Sequence, residues 1–318
     1  MTVVNPVILE KGLKTAFMTA YEAAAAIWSQ IATPVPSTTS QEKYGWLGQS
    51  PAMREWTDER IPKGLADHDY TIVNRDWEAS IAVHRNALED DQLGAIPMRV
   101  RDLAERAKTH PDELILDLLV EGDTNLCYDG KAFFAATHVD PGAEYSTAQD
   151  NQIGYACVDG TAPTLAETKA AFQQARETLL GFKDDRGKPA HTSAAGLAVV
   201  CNQHLQVVFE ELLNATLISN TTNVLKGAAS LIVSPLYSET ARFVLLKADR
   251  ALKPLILQQR QNARLATTQS LSQSNPNEFQ RMGVAEFLRK NIFFGVDARY
   301  NAGYGDWRTA VETTLTTA

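Results

Sequence analysis

The chain has 318 residues, 44% of them hydrophobic and 21% charged, with a formal net charge of −8. That much apolar surface offsets chain entropy and excludes intrinsic disorder, and the acidic excess excludes wrapping nucleic acid by phosphate neutralisation. Cys127, Cys157 and Cys201 are too few and too widely spaced for a disulfide scaffold or a thiolate zinc site.

No apolar stretch is long enough to span a bilayer, Ala23 to Trp28 being typical, and the N-terminus lacks the pattern of a secretory signal. A soluble cytoplasmic protein of two lobes is expected. Residues 5–31 read as one amphipathic helix, with Leu9, Leu13, Phe17, Tyr21, Ala24, Trp28 and Ile31 at helical spacing and Pro34 and Pro36 beyond. Its single apolar stripe needs a surface, in this chain or in a neighbour. Residues 37–52 read as loop. Two extended segments follow, roughly Met53 to Arg60 and Tyr70 to His84. In the second, Trp77, Ala79, Ile81 and Val83 alternate with polar residues as in a half-buried strand. Between them Ile61 to Asp69 is rich in turn formers, so the pair predicts a long hairpin with a polar tip.

Residues 96–121 predict the longest helix, about 40 Å at ~1.5 Å per residue. Pro111 is expected to kink or restart it, with Thr109 as a new cap, and Gly122 to end it. A helix is predicted from Leu165 to Leu180, opened by a Thr164/Glu167 capping box and stopped by Gly181. A strand over Leu197 to Cys201 and a helix over Gln203 to Asn214 come next. Strands are then predicted at Ser230 to Val233, Ala241 to Leu246, Leu255 to Gln261 and Ile292 to Asn301. The polar run Ala266 to Asn277 reads as an exposed loop tip.

Motifs for chemistry are mostly missing. There is no phosphate loop, no His-Glu-x-x-His and no Gly-x-Ser-x-Gly. Asn301 to Trp307 is glycine-rich but lacks the third glycine and following helix of a dinucleotide site, so it reads as a turn leaving a strand. Glu89-Asp90-Asp91 reads as solvated or capping carboxylates rather than a metal cluster. Arg99, Arg101 and Arg106 share their helix with Asp102 and Glu105 and read as paired surface charge. Cys127-Tyr128-Asp129-Gly130, with His138 further on, could hold a reactive thiol. An Asp-Gly turn beside a packed cysteine is the simpler reading. No catalytic residue, cofactor or metal ligand is assigned.

Three segments carry a resemblance. They are Tyr44-Gly45-Trp46-Leu47-Gly48 with Pro51 and Arg54-Glu55-Trp56; Asn74-Arg75-Asp76-Trp77-Glu78 through Glu89-Asp90-Asp91 to Gly94; and Cys127-Tyr128-Asp129-Gly130 through Phe133-Phe134 to His138. In order and spacing they resemble the Mu-type phage major head subunit family, most closely over residues 40–140. Asp58 is a departure, since relatives often carry glycine there.

The resemblance implies an α+β, Hong Kong 97-like phage capsid fold. It implies an N-terminal arm over 1–50 and an extended E-loop over 51–85. A peripheral (P) domain with a long spine helix would occupy 86–150 and 255–300, and an axial (A) domain 151–254 and 301–318. The implied function is a major capsid protein of a Mu-like tailed phage or prophage. Copies would form pentamers and hexamers of an icosahedral shell around double-stranded DNA, without sequence-specific binding and without a membrane. A separate scaffold and protease during assembly, a portal protein and a decoration protein would be partners, since this chain shows no coiled, charged N-terminal extension of its own. Assembly would take place in the host bacterial cytoplasm, with the virion as destination.

Leu13, Phe17, Trp28, Trp46, Arg54, Trp56, Arg60, Lys63 and Asp67 are the assembly residues expected from arm and E-loop. The arm and hairpin are expected to bury their apolar sides on neighbours, not within one subunit. Residues 266–277 are expected at three-fold contacts, and Lys63 lies where one relative's fold places a cross-linking lysine. Two alternatives remain: an encapsulin-type shell protein around enzyme cargo, and a cytosolic thiol enzyme using Cys127 and His138.

Overall fold

The computed structural model describes residues 6–45, 47, 70–84, 94–139, 145–184, 186–218, 220–267 and 291–317. Its helices are α1 (Pro6–Ala23), α2 (Trp28–Ile31), α3 (Ala95–Val120), α4 (Leu165–Gly181) and α5 (Gln206–Asn214). Its strands are β1 (Ala32–Pro36), β2 (Gln41–Lys43), β3 (Thr71–Val73), β4 (Arg75–His84), β5 (Gln152–Cys157), β6 (Leu197–Cys201), β7 (Leu217–Ile218), β8 (Thr221–Thr222), β9 (Ser230–Val233), β10 (Arg242–Lys247), β11 (Leu255–Thr267), β12 (Asn291–Tyr304) and β13 (Ala310–Thr317). The chain divides into two compact units. The first is Met1–Ala26, Asn74–Pro111 and Gln259–Asn301; the second is Ile27–Val73, Asp112–Gln258 and Ala302–Ala318.

In the first unit β4 and β12 pair antiparallel in one unbroken register, from Asn291 opposite His84 to Tyr300 opposite Arg75. Alternation decides which face is covered: Ile292, Phe294, Val296, Ala298 and Tyr300 all point to the buried side. The predicted period-two pattern of β4 holds, with Trp77, Ile81 and Val83 on the more buried face. Trp77 Nε1 donates to the Tyr300 carbonyl at 2.9 Å, and the Tyr300 hydroxyl lies 2.8 Å from His110 Nδ1.

The first helix is shorter than its hydrophobic pattern predicts. It ends at Ala23, and Trp28, placed on its stripe from sequence, instead opens α2 in the second unit. The Trp28 backbone N–H donates to Asp112 Oδ1 at 2.7 Å, which holds the chain out of helical continuation there. Leu13 and Phe17 are buried within this chain, at 2% and 0% exposure, and Phe17 stacks on Tyr21 at 6.0 Å. The expectation that the arm cannot bury its stripe within one subunit is therefore corrected. An i, i+4 pair on one helix face already has cover, while Met18 stays 45% exposed.

The long helix α3 lies where expected, but Pro111 does not restart it. Thr109 does not cap a new helix. Its hydroxyl donates back to the Glu105 carbonyl at 3.1 Å, the habit of a threonine inside a helix. Ile115, Leu116 and Leu119 are fully buried beyond the proline, and that burial outweighs the one lost N–H donor.

The second unit is built on a five-stranded mixed sheet in the order β5-β13-β10-β6-β9. β10 is antiparallel to both β13 and β6, whereas β13 is parallel to β5 and β6 to β9. Every residue of β6, and all of β10 after Arg242, is buried, as continuous apolar runs demand of inner strands. α4 buries Ala171, Phe172, Ala175 and Leu179, and α5 sets Phe209 edge-on against Phe243 of β10 at 5.0 Å. The predicted Thr164/Glu167 capping box is present. β1 follows β11 in strand order, and β2 pairs with β3 inside a stretch that reads as loop from sequence. Gln258 is wholly buried; it accepts from the Tyr44 hydroxyl at 2.8 Å and donates to the Ile72 carbonyl at 3.1 Å.

The glycines of the Asn301–Trp307 segment serve packing. A Cβ on Gly305 would sit 2.6 Å from the Lys253 carbonyl oxygen and 2.9 Å from that of Pro254, which the Gly305 N–H itself bonds at 2.8 Å. Gly305→Ala is expected to destabilise the chain by roughly 1–3 kcal/mol, the usual cost of overpacking. Chemical denaturation with an unchanged midpoint would refute this account of the segment.

Candidate functional site

The third sequence signature folds into the most connected buried polar cluster described in the second unit. Gly130 takes the left-handed conformation, φ +77°, that the turn after Asp129 requires. The turn closes through Cys127 N–H to the Lys131 carbonyl at 2.7 Å and Gly130 N–H to the Cys127 carbonyl at 3.1 Å. Phe133 stacks on Tyr304 at 4.5 Å, and Phe134 fills the space beside Gly122, where a Cβ would come within 2.5 Å of its ring. Those two rings fix the loop that carries His138.

His138 is wholly buried and lies flat on Trp307, with ring centroids 4.2 Å apart at 7°. Its Nδ1 is 2.6 Å from Asp129 Oδ2; its Nε2 is 3.2 Å from both the Phe133 carbonyl and Asn151 Oδ1. All three facing atoms can accept from the ring. Asn151 is oriented by its neighbours, accepting from Ala135 N–H at 2.8 Å and donating to the Phe133 and Trp307 carbonyls at 2.8 and 3.3 Å. Beside this pair, Arg308 donates to the Tyr128 hydroxyl at 2.9 Å and to Asp306 Oδ1 at 3.2 Å, and its carbonyl is 2.7 Å from His191 Nε2.

Among the described residues, Cys127, Asp129 and His138 form a group whose ligand-type atoms lie within 4.8 Å of one another. The donor set would suit a transition metal, and in this structure its atoms bond one another. Asp129 Oδ1 accepts from the Cys127 thiol at 3.0 Å and from Lys131 N–H at 3.0 Å, while Oδ2 faces His138. Burial pushes the Asp129 carboxyl up, yet the bonds and charge of His138 prevail and its pKa lies below the ordinary value. Burial and the Asp129 carboxylate both push the Cys127 thiol up.

A nucleophile needs a thiolate beside a base, and here the thiol donates to an anion instead. The close contact in the turn is between Asp129 and His138, with Cys127 donating to the same carboxylate. The sequence holds the signal, an acid in the turn and a lone histidine nine positions later. The partners Asn151, Trp307 and Arg308 are distant in the chain and were missed.

The other expected residues distribute differently. Leu13 and Phe17 are buried on α1, and Trp28 is half-buried on α2. Trp46, Arg54, Trp56, Arg60, Lys63 and Asp67 lie outside the described residues, as do Glu89-Asp90-Asp91 and most of 266–277. Of the helix arginines, Arg106 pairs with Asp102 at 3.2 Å. Among the described residues no helix is long and apolar enough to cross a membrane.

The sequence pattern of the family described as Mu-like prophage major head subunit gpT matches residues 7–162 and 236–318. The chain belongs to this family. It is 28% identical over 295 residues to the major capsid protein of Escherichia phage Mu, covering 93% of this chain and 68% of that protein. It is 26% identical over 287 residues to the Mu-like prophage FluMu major head subunit of Haemophilus influenzae, covering 90% of this chain and 66% of that one. The chain thus spans about two thirds of the length of these relatives. A subunit of the procapsid of bacteriophage JBD30 superposes with a TM-score of 0.56 at 26% identity, over 98% of this chain and 76% of that chain. The α+β architecture is a Hong Kong 97-like phage capsid fold.

Removing one partner of a buried hydrogen-bonded pair leaves the other unsatisfied, at about 1–3 kcal/mol or more where a carboxylate is involved. Asp129→Asn and His138→Ala should each lose about that much stability, while Cys127→Ser, which keeps a donor for Asp129, should lose far less. Equal losses for all three, read by urea denaturation, would contradict the assigned pair. Because the folded-state pKa of Asp129 is lowered, its contribution is complete above the unfolded carboxyl value, about 3.9, and disappears as pH falls through the lower folded value. The Asp129→Asn chain should therefore show a shallower loss of stability on acidification below about pH 4.

Proposed function

We propose that the chain is the major capsid protein of a Mu-like phage or prophage head, many copies of which close into an icosahedral shell around double-stranded DNA. The observation that carries this is the family match, which runs through both units and includes the buried Asp129–His138 signature. The role is mechanical and non-enzymatic: the cluster with donor atoms suited to metal or thiol chemistry is saturated by its own hydrogen bonds. The place of action is the virion, assembled in the bacterial cytoplasm.

In this reading residues 1–50 are an N-terminal arm and 51–85 an E-loop. Residues 86–150 with 255–300 make the peripheral domain, with α3 as its spine, and 151–254 with 301–318 the axial domain. The placement of 259–300 outside the unit that holds the five-stranded sheet and 302–318 supports that reading, whereas 112–150 falls in the same compact unit as that sheet. Subunits gather as pentamers and hexamers, with a scaffold and protease during assembly, a portal, and a decoration protein outside; family resemblance supports these partners. Trp46, Arg54, Trp56, Arg60, Lys63 and Asp67 are assigned to contacts between copies, together with whatever part of the α1 stripe remains exposed. The charge of −8 suits a wall that must not bind the phosphates it encloses.

Sedimentation and electron microscopy of the purified chain, expressed with its assembly partners, should show closed particles of megadalton mass; a small soluble oligomer would overturn the proposal. Deleting Lys63 to Asp67 should weaken mature shells more than it lowers subunit solubility. Shells from the deleted chain that match wild type would remove the E-loop from the mechanism.

A further inference from the structure

The turn after α3 brings a thiol, a carboxylate and an imidazole together, their ligand-type atoms all within 4.8 Å of one another. The neighbours orient each of them. Ala135 N–H donates to Asn151 Oδ1 at 2.8 Å, so that atom is an acceptor, and His138 Nε2 faces both it and the Phe133 carbonyl at 3.2 Å. Two acceptors on that side place a ring hydrogen on Nε2, and Nδ1 is left to face Asp129. A histidine that gives its far N–H to a carbonyl, with its near nitrogen turned to anionic donors, has the outer contacts of a metal-ligating histidine. Lys131 N–H orients the carboxylate through Oδ1 at 3.0 Å. Trp307 lies flat on the imidazole face and fixes its plane without covering the nitrogens within it.

The charge balance also admits an ion. Nδ1 lies 2.6 Å from Asp129 Oδ2, and two lone pairs cannot meet at that distance without a cation between them, either a proton or a metal. The Cys127 thiol points a second hydrogen at Oδ1 from 3.0 Å. In the metal-free chain these two hydrogens saturate the cluster. One divalent ion can replace both, with the two protons passing to solvent and the net charge of the buried site unchanged.

We infer that Cys127 Sγ, one Asp129 oxygen and His138 Nδ1 bind a transition metal ion of the zinc class, which pins the turn at 127–131 to the loop at 138. Thiolate and imidazole donors select zinc over magnesium or calcium, which want oxygen alone. Tetrahedral zinc holds such ligands at about 2.0–2.3 Å, and hence about 3.3–3.6 Å from one another, so the two short contacts open by less than ~1 Å as the carboxylate turns. The ion is structural, because Cys127 is 4% exposed and the His138 side chain 0%, and it enters as the chain folds. The inference concerns the single chain and does not rest on the proposed function.

The test is the full chain, unfolded in reducing denaturant and refolded with a chelator, with zinc or with cobalt. Wild type refolded with zinc should carry one ion by native mass spectrometry and unfold at higher urea than the chelated chain. Cobalt should give the charge-transfer absorption of a thiolate bond. Cys127→Ser keeps a donor for Asp129, so in chelator it should unfold close to wild type, yet it should lose the bound ion, the cobalt band and the zinc-dependent shift. Cys157→Ser should keep all three. Wild type that refolds with neither ion nor shift would overturn the inference. So would an ion that survives Cys127→Ser, which would place it on other residues.

Discussion

The buried pair of Asp129 and His138 ties together three stretches of chain that are remote in sequence. The turn at 127–131 supplies the carboxylate, Asn151 at the foot of β5 steadies the far side of the ring, and Trp307 ahead of β13 gives it a floor. Each of these is the starting point of a larger element. The turn follows α3, Asn151 leads into β5, and Trp307 leads into β13. Since β5 and β13 are neighbours in parallel register, the hub sets where that register begins. The Asn151 carbonyl accepts from Glu312 N–H at 2.8 Å, so the ladder is an extension of the same network. Most of the network's polar atoms are paired, Trp307 Nε1 and His191 Nδ1 being buried without a partner.

Much of this architecture was legible wherever one physical signal dominated. The helix over 95–120, the capping box before α4, the inner strand β6 and the edge strand β9 follow from period and turn chemistry alone. β13 was not legible. Its sequence, AVETTLTT, places Glu312 and Thr313 at fully buried positions, so it has no apolar pattern to read. The burial of Glu312 depends on Arg242 and Gln152, residues 70 and 160 positions away. The end of α1 was misjudged for a similar reason. Alanines 23–26 favour helix, yet the helix ends at Ala23 and the chain is held next at Trp28, whose N–H bonds Asp112.

The candidate site was legible in part. The residues of the 127–138 signature were singled out, but a cysteine drew the attention that belonged to the aspartate next to it. Chemistry-bearing residue types invite a catalytic reading, and only the donor–acceptor inventory separates that reading from structural bonding. Here the thiol donates to a carboxylate, and both imidazole nitrogens face oxygen atoms of the same fold.

The position of β13 has a consequence for the timing of synthesis. It lies between β5 and β10, both of which leave the ribosome long before it. At translation rates of roughly 5–20 residues per second, Ala310 follows Cys157 by about 8–30 s. β10 emerges within that interval, and until β13 follows, the facing edges of β5 and β10 have no strand between them and Arg242 has no Glu312. A nascent chain therefore cannot present the finished sheet to another.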